Sequence, residues 1–80
     1  MDADDLEWDD AKNVANAAKH SVTFERARLA FADPFAVGVL DDRVRYGEQR
    51  FVLIGMAEGA LIFVAHAERG DRVRIISARR

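Results

Sequence analysis

The sequence contains no cysteine, one proline and no long hydrophobic run, and each absence removes a class of protein. Without cysteine there is neither a disulfide framework nor a thiolate zinc site, and two histidines alone make a poor structural metal site. No apolar stretch approaches the roughly 18 residues that a membrane span needs, and the acidic N-terminal segment does not resemble a secretory leader. We therefore expect a cytoplasmic protein with no membrane association, no metal and no cofactor.

The composition is that of one small globular domain, which we assign to residues 1–80. Half of the 80 residues are hydrophobic and 32% are charged, a balance typical of folded chains rather than disordered ones. This length is close to the smallest that a single hydrophobic core stabilises without disulfides, metals or a partner.

Charge is distributed unevenly along the chain. The first ten residues contain six acids and no base, which leaves +4 on the rest of a chain whose net charge is −2. Lysine is scarce, and arginines accumulate near the C-terminus at positions 69, 72, 74, 79 and 80. Arginine's planar fork suits phosphate, so this cluster favours an anionic ligand such as nucleic acid. The alternative is a solvated strand face on which the arginines pair with Glu48, Glu68 and Asp71.

The first half of the chain has helical periodicity. Asp9 or Asp10 can cap a helix that runs to about His20, with apolar residues recurring every three or four positions. Thr23 is a suitable N-cap for a second helix, which should end near Asp33 and Pro34. Residues 6–8 form a possible short leading strand.

The second half is rich in β-branched, aromatic and aliphatic residues, which predict four strands at about 36–40, 50–57, 61–67 and 71–78. Turn-like pairs separate them, namely 41–42, 46–47, 58–59 and 70–71. Such short connections require antiparallel neighbours. We therefore predict an α+β fold, with two N-terminal helices packed on a four-stranded antiparallel meander.

Alternation along the last two strands predicts which side chains share a face. His66 falls with Ile62 and Val64, while Arg79 falls with Ile75 and Ser77 and Arg74 falls on the other face of its strand. Because the two strands form a hairpin around Gly70, His66 should lie across the ladder from the segment 74–79. The sequence thus suggests a partly open groove with a histidine beside arginines.

Metal-free RNA cleavage requires a base for the ribose 2′-hydroxyl, cations for the phosphorane and a proton for the leaving oxygen. His66 with Arg74 and Arg79 could meet these needs, and Lys19 and His20 are further candidates. Each has a structural alternative. The His66 ring could bond a backbone carbonyl under the sheet, and Lys19 and His20 could simply stabilise a helix C-terminus. The aromatic residues, including Trp8 and Phe63, are expected in the core.

Four short motifs follow one another along the chain: E-W-D at 7–9, K-H-x-V-x-F-E at 19–25, Y-G-E-x-R at 46–50 and R-I-I-S-A-R at 74–79. In this order they resemble the BrnT toxin family. The resemblance covers nearly the whole chain. It implies a RelE-like fold and a metal-independent endoribonuclease toxin of a type II toxin–antitoxin system, which cleaves RNA and so inhibits translation.

The resemblance also implies partners and site residues. A BrnA-like ribbon-helix-helix antitoxin would neutralise the toxin and contact DNA on its behalf, and a toxin dimer within the complex is a further expectation. Phosphate contacts would fall on Arg74 and Arg79, and proton transfer on His66, Lys19 or His20. BrnT-like chains usually continue into a basic C-terminal helix, which this sequence lacks. That departure supports an alternative, a non-catalytic co-repressor or antitoxin-binding scaffold of the same fold.

Overall fold

The computed structural model describes residues 5–41 and 49–80, which form an α+β fold. Two helices, α1 (Asp10–His20) and α2 (Phe24–Phe31), follow a two-residue strand, β1 (Leu6–Glu7). The remaining strands are β2 (Val37–Asp41), β3 (Arg50–Ala57), β4 (Ala60–Arg69) and β5 (Arg72–Arg79). No helix in these residues is long and apolar enough to cross a membrane.

Both helices begin at the residues that the sequence indicated. The Asp9 side chain accepts a hydrogen bond from the backbone N–H of Ala11 at 2.8 Å, and Thr23 Oγ1 accepts one from Arg26 at 3.1 Å. These side chains satisfy amides that have no partner within the helix. α1 ends where Ser21 adopts a left-handed conformation, with φ at 58°, and donates its N–H to Ala17. The predicted helix boundaries are therefore confirmed, although α2 ends at Phe31, before Asp33.

The sheet has five strands in the order β1-β5-β4-β3-β2, and it is mixed rather than purely antiparallel. The four predicted strands form the expected antiparallel meander. The prediction of four strands was wrong because β1 joins the sheet, pairing parallel to β5 with Leu6 opposite Val73. A parallel partner needs a long connection, and here the whole intervening chain supplies it.

The β3–β4 connection is a two-residue hairpin at Glu58 and Gly59, as expected. Both residues have positive φ, at 50° and 79°, which matches the twist of the flanking strands. The Arg26 side chain supports this hairpin, with Nε at 3.5 Å from Glu58 Oε1. The predicted turn at Tyr46-Gly47 lies outside the described residues, as does Asp42 of the turn predicted at 41–42.

The hydrophobic core lies between the two helices and one face of the sheet, here called the helix face. α2 contributes Phe24, Ala27, Ala30 and Phe31, all buried, whereas the buried residue of α1 is the polar Asn16. The strands contribute a second apolar layer, consisting of Leu53, Ile62, Val64, Val73, Ile75 and Ala78. The opposite side of the sheet, here called the open face, has no helix of the described residues packed on it.

A β-bulge determines which residues of β5 point to each face. Ala65 pairs with Ser77 and His66 with Ile75, so Ile76 has no partner in β4. An extra residue reverses the alternation beyond it. Arg74, Ser77 and Arg79 therefore all lie on the open face. The predicted separation of Arg74 from Arg79 was wrong for this reason, since period-two alternation assumes an uninterrupted ladder.

Gly55 is where α2 approaches β3 most closely. A Cβ at this position would lie 2.6 Å from the Ala30 carbonyl oxygen and 3.1 Å from Ala36 Cβ. We expect Gly55→Ala to lower the free energy of unfolding by about 1–3 kcal/mol, because the helix backbone must shift to admit the methyl group. Urea unfolding measures the effect. Gly38→Ala in β2 is the matched control, since nothing lies within 4 Å of its added Cβ; an equal loss in both variants would contradict the packing explanation.

Candidate functional site

His66 lies in the hydrophobic core, on the face of the sheet opposite Arg74 and Arg79. Its side chain is 3% exposed, stacks on Phe51 at 5.7 Å between ring centroids, and meets Phe31 edge-on at 5.1 Å. Nδ1 lies 3.2 Å from the Val64 carbonyl oxygen, so Nδ1–H is the donor. The strand pairing brings His66 opposite Ile75 as expected. The expectation that it shares a groove with the arginines was wrong, because both arginines project from the open face.

Burial lowers the pKa of His66, an effect that the Val64 carbonyl and Glu68 only partly offset. The unfolded chain therefore binds a proton at His66 more readily than the folded chain does. For this reason the free energy of unfolding has its full value above about pH 6.5 and decreases as the pH drops towards the lower pKa of His66 in the folded chain. We expect thermal unfolding temperatures to decline across this range. His66→Phe should flatten the decline, while His20→Gln should leave it in place. An unchanged slope in His66→Phe would contradict this.

Residues of β1 contact both Arg72 and Arg74. The Glu7 carboxylate lies 3.8 Å from Arg74 Nη1 and 3.8 Å from Arg72 Nε, and Arg72 also donates to the Leu6 carbonyl at 3.5 Å. These contacts fix β1 against β5 and partly neutralise Arg74. An anion that binds Arg74 would therefore also lie close to the Glu7 carboxylate.

A groove runs between α1 and the bulged segment of β5. Its volume is about 240 Å³, and its lining consists of Lys12, Ala15, Asn16, Lys19, His20, Ile76 and Ser77. Positions 12, 15, 16, 19 and 20 follow the helical repeat, so they lie on one side of α1. Two cations and an imidazole thus line one groove, with Ser77 of the bulged segment beside them, and neither lysine forms an ion pair within the described residues.

Asn16 holds α1 against β5 at the base of this α1–β5 groove. The side chain is 7% exposed, and its Oδ1 accepts a hydrogen bond from the Ala78 N–H at 3.1 Å. Its Nδ2 donates to the carbonyl oxygens of Ala78 at 2.8 Å and Val22 at 2.9 Å. This amide satisfies the backbone of β5 where no neighbouring strand does so, and it sets the width of the groove.

A smaller cleft lies on the open face beside the groove. It has a volume of about 100 Å³ and is lined by Asp41, Val52, Phe63, Ala65, Ser77 and Arg79. The Arg79 guanidinium carbon lies 4.9 Å from the centroid of the Phe63 ring, and Nη1 donates to the Arg80 carbonyl at 3.3 Å. Phe63 was expected in the core, but it is half-buried on the open face and supports Arg79 instead.

Ser77 lines both cavities, so the groove and the cleft meet at the β5 bulge. Of the predicted site residues, Lys19 and His20 lie together in the groove and Arg79 lies in the adjoining cleft. Arg74 shares the open face with Arg79 but is paired with Glu7. His66 is buried on the helix face, so the sheet separates it from Arg74 and Arg79, and it does not line the groove that contains Lys19 and His20. Sequence reasoning passed over Ser77 and Asn16, since only the bulge and the cross-chain hydrogen bonds show their position.

The combined surface has the groups that phosphodiester chemistry requires. An imidazole can accept or donate a proton near neutral pH, ammonium and guanidinium groups can stabilise a phosphorane, and the cleft adds a flat apolar wall. Among the described residues, no three His, Asp or Glu side chains lie close enough together to hold a metal ion. The arrangement therefore favours an anionic ligand bound directly by protein cations.

Comparison with known proteins agrees with this chemistry. No curated protein matches the chain. One family model matches residues 8–80, and it describes the ribonuclease toxin, BrnT, of a type II toxin–antitoxin system. The match includes all of the residues that line the groove and the cleft. Since it spans almost the entire sequence, the chain belongs to the BrnT family of ribonuclease toxins.

Proposed function

We propose that this chain is a metal-independent endoribonuclease with its reaction centre in the α1–β5 groove. The observation that carries the proposal is the convergence of Lys12, Lys19, His20 and Ser77 on one concave surface. Membership of a ribonuclease toxin family supplies the substrate class. Under this proposal the α+β architecture is a RelE-like ribonuclease fold.

The proposed reaction uses the RNA's own 2′-hydroxyl as nucleophile. His20 accepts the 2′-hydroxyl proton, the 2′-oxygen attacks phosphorus, and the bond from phosphorus to the 5′-oxygen breaks. The Lys19 ammonium group gives a proton to that leaving oxygen. Lys12 and Arg79 stabilise the negative charge that develops on the phosphorane. The products are a 2′,3′-cyclic phosphate and a 5′-hydroxyl.

His66 and Arg74 take different parts in this proposal. His66 is buried at 3% exposure and supports the sheet beneath the site through its contacts with Phe31 and Phe51. Arg74 projects from the same face as Arg79, nearer to β1, where it can contact a flanking phosphate of a longer RNA. The Glu7 carboxylate beside it would weaken that contact relative to the one made by Arg79.

The proposal is tested by incubating labelled RNA with the purified chain in EDTA. We expect cleavage of RNA, no cleavage of the all-deoxy strand, and cyclic phosphate ends on the products. Arg79→Ala should reduce the rate by about 10²-fold, as the loss of one charge-stabilising donor does in other enzymes. Arg80→Ala removes the same charge one position away and should retain activity. A folded chain that leaves RNA intact would contradict the proposal.

A type II toxin family implies an antitoxin partner, and we propose a BrnA-like ribbon-helix-helix protein that contacts DNA on behalf of the complex. Inhibition of translation in the cytoplasm would follow from RNA cleavage. Large exposed apolar side chains around β2 support a protein partner on that side, since 87% of Phe35 and 57% of Val37 are exposed. A toxin dimer within the complex remains part of the proposal, and light scattering of the purified complex would test it.

A second candidate function is a non-catalytic, antitoxin-binding scaffold. The observation that favours it is that His66 lies on the opposite face from Arg74 and Arg79, so this trio does not form the expected catalytic site. The groove provides an alternative set of groups and is the reason that we prefer catalysis. A folded chain that binds the antitoxin with normal affinity but cleaves no RNA in the assay above would establish the scaffold.

A further inference from the structure

The open-face cleft adjoins the proposed reaction centre but contributes only Arg79 to the chemistry. The rest of its lining has a different character. Val52, Phe63 and Ala65 are apolar, while Asp41, Ser77 and Arg79 are polar. Such a mixed lining can contact both the apolar face and the polar edge of a small planar ligand.

The cleft has a surface on which such a ligand can stack. The Arg79 guanidinium lies over the Phe63 ring at 4.9 Å, so the aromatic ring holds the guanidinium plane in place. Unpaired RNA bases stack on aromatic rings and on arginine planes. Because Ser77 lines both cavities, the cleft adjoins the groove that would hold the scissile phosphate.

Asp41 gives the cleft a chemical preference among bases. An ionised carboxylate can only accept hydrogen bonds, and its two oxygens can accept several, so Asp41 can accept one from a ligand in addition to the interaction that it already makes. Adenine and cytosine each present an exocyclic amino group as a donor, whereas uracil presents a carbonyl oxygen at the corresponding position. A carbonyl oxygen facing a carboxylate places two acceptors together, which is unfavourable.

We propose that the open-face cleft is a base-binding subsite that selects adenine or cytosine over uracil, with Asp41 as the specificity-determining residue. This inference rests on the proposed function, because it takes RNA to be the substrate. It adds Asp41, which lies outside the proposed reaction centre, and it assigns a base preference to the open-face cleft.

The test measures binding rather than cleavage, so its result does not depend on the activity assay. Fluorescence anisotropy at one fixed salt concentration gives the affinity of the full chain for 2′-O-methyl hexamers of adenine, cytosine or uracil, which cannot be cleaved. We expect the adenine and cytosine hexamers to bind roughly tenfold or more tightly than the uracil hexamer. Asp41→Asn should remove most of this difference, because a carboxamide both donates and accepts.

Two matched controls accompany the test. Asp71→Asn, in the β4–β5 turn, makes the same chemical change away from the cleft and should preserve the preference. Phe63→Leu should lower the affinity for the adenine hexamer about tenfold, because the aromatic ring that supports stacking is lost. Leu61→Ala, on the same strand, should leave this affinity unchanged. Equal affinity of the wild-type chain for all three hexamers, no binding of any of them, or a preference that survives Asp41→Asn would each overturn the proposal. RNA cleavage in EDTA alongside any of these results would leave the proposed function in place.

Discussion

Replacing His20 by alanine is expected to lower the rate of RNA cleavage by about 10²- to 10⁴-fold, the usual contribution of a general base or acid. The imidazole lines the groove together with Lys12, Lys19 and Ser77. It is the only imidazole on this surface, because the other histidine is buried beneath the sheet. Single-turnover cleavage of one labelled RNA, with enzyme in excess, measures the chemical step.

Val14→Ala is the matched control for His20→Ala. Val14 lies on α1 but is 72% exposed and takes no part in the groove, so its truncation should leave the rate unchanged. Circular dichroism of both variants would check that α1 remains folded. If His20→Ala cleaved RNA at the wild-type rate, proton transfer would have to be reassigned, with Lys19 the next candidate in the groove.

Asn16→Asp replaces only the side-chain amino group by an oxygen. We expect it to destabilise the protein more than any other substitution of this size in α1. The substitution replaces an amide that donates to the carbonyl oxygens of Val22 and Ala78 by a group with no donor when ionised. Both carbonyls then lose a buried partner and face a carboxylate. At about 1–3 kcal/mol for each of the two unsatisfied groups, the loss is about 2–6 kcal/mol.

Such a loss is large for a chain of this size, because domains of this length have a free energy of unfolding of about 4–12 kcal/mol. We expect the melting temperature to fall by on the order of 15 °C, which differential scanning calorimetry can measure. Asn13→Asp is the matched control one turn earlier. Asn13 is less buried, and its Oδ1 would still accept from the Phe24 N–H, which lies at 2.8 Å in the wild-type chain. The substitution replaces only its exposed hydrogen bond to Glu25 by repulsion between two solvated carboxylates. Similar melting temperatures for the two variants would contradict the role given to Asn16.

The candidate site could be predicted from the sequence only in part. Lys19 and His20 were candidates because of their residue types, and they do lie together, since neighbouring positions at the end of one helix cannot separate far. Arg79 was also identified as a candidate, and it lies on the adjoining cleft. The role considered for His66 depended on which face of the sheet it occupies relative to the arginines, and that relation requires the exact register of two strands.

The fold was more predictable because it depends on local signals. Capping residues such as Asp9 and Thr23, helical periodicity and β-branched runs each act within a few neighbouring residues, and they placed both helices and four of the strands. Thus the sequence by itself determined the α+β class, the short connections and the family. Tertiary structure alone decided that β1 joins the sheet, that a bulge at Ile76 moves Arg79 to the open face, and that Asn16 closes the groove. The contacts of β1 and Asn16 with β5 join residues 62 or more positions apart, and the bulge depends on the register of β4 against β5.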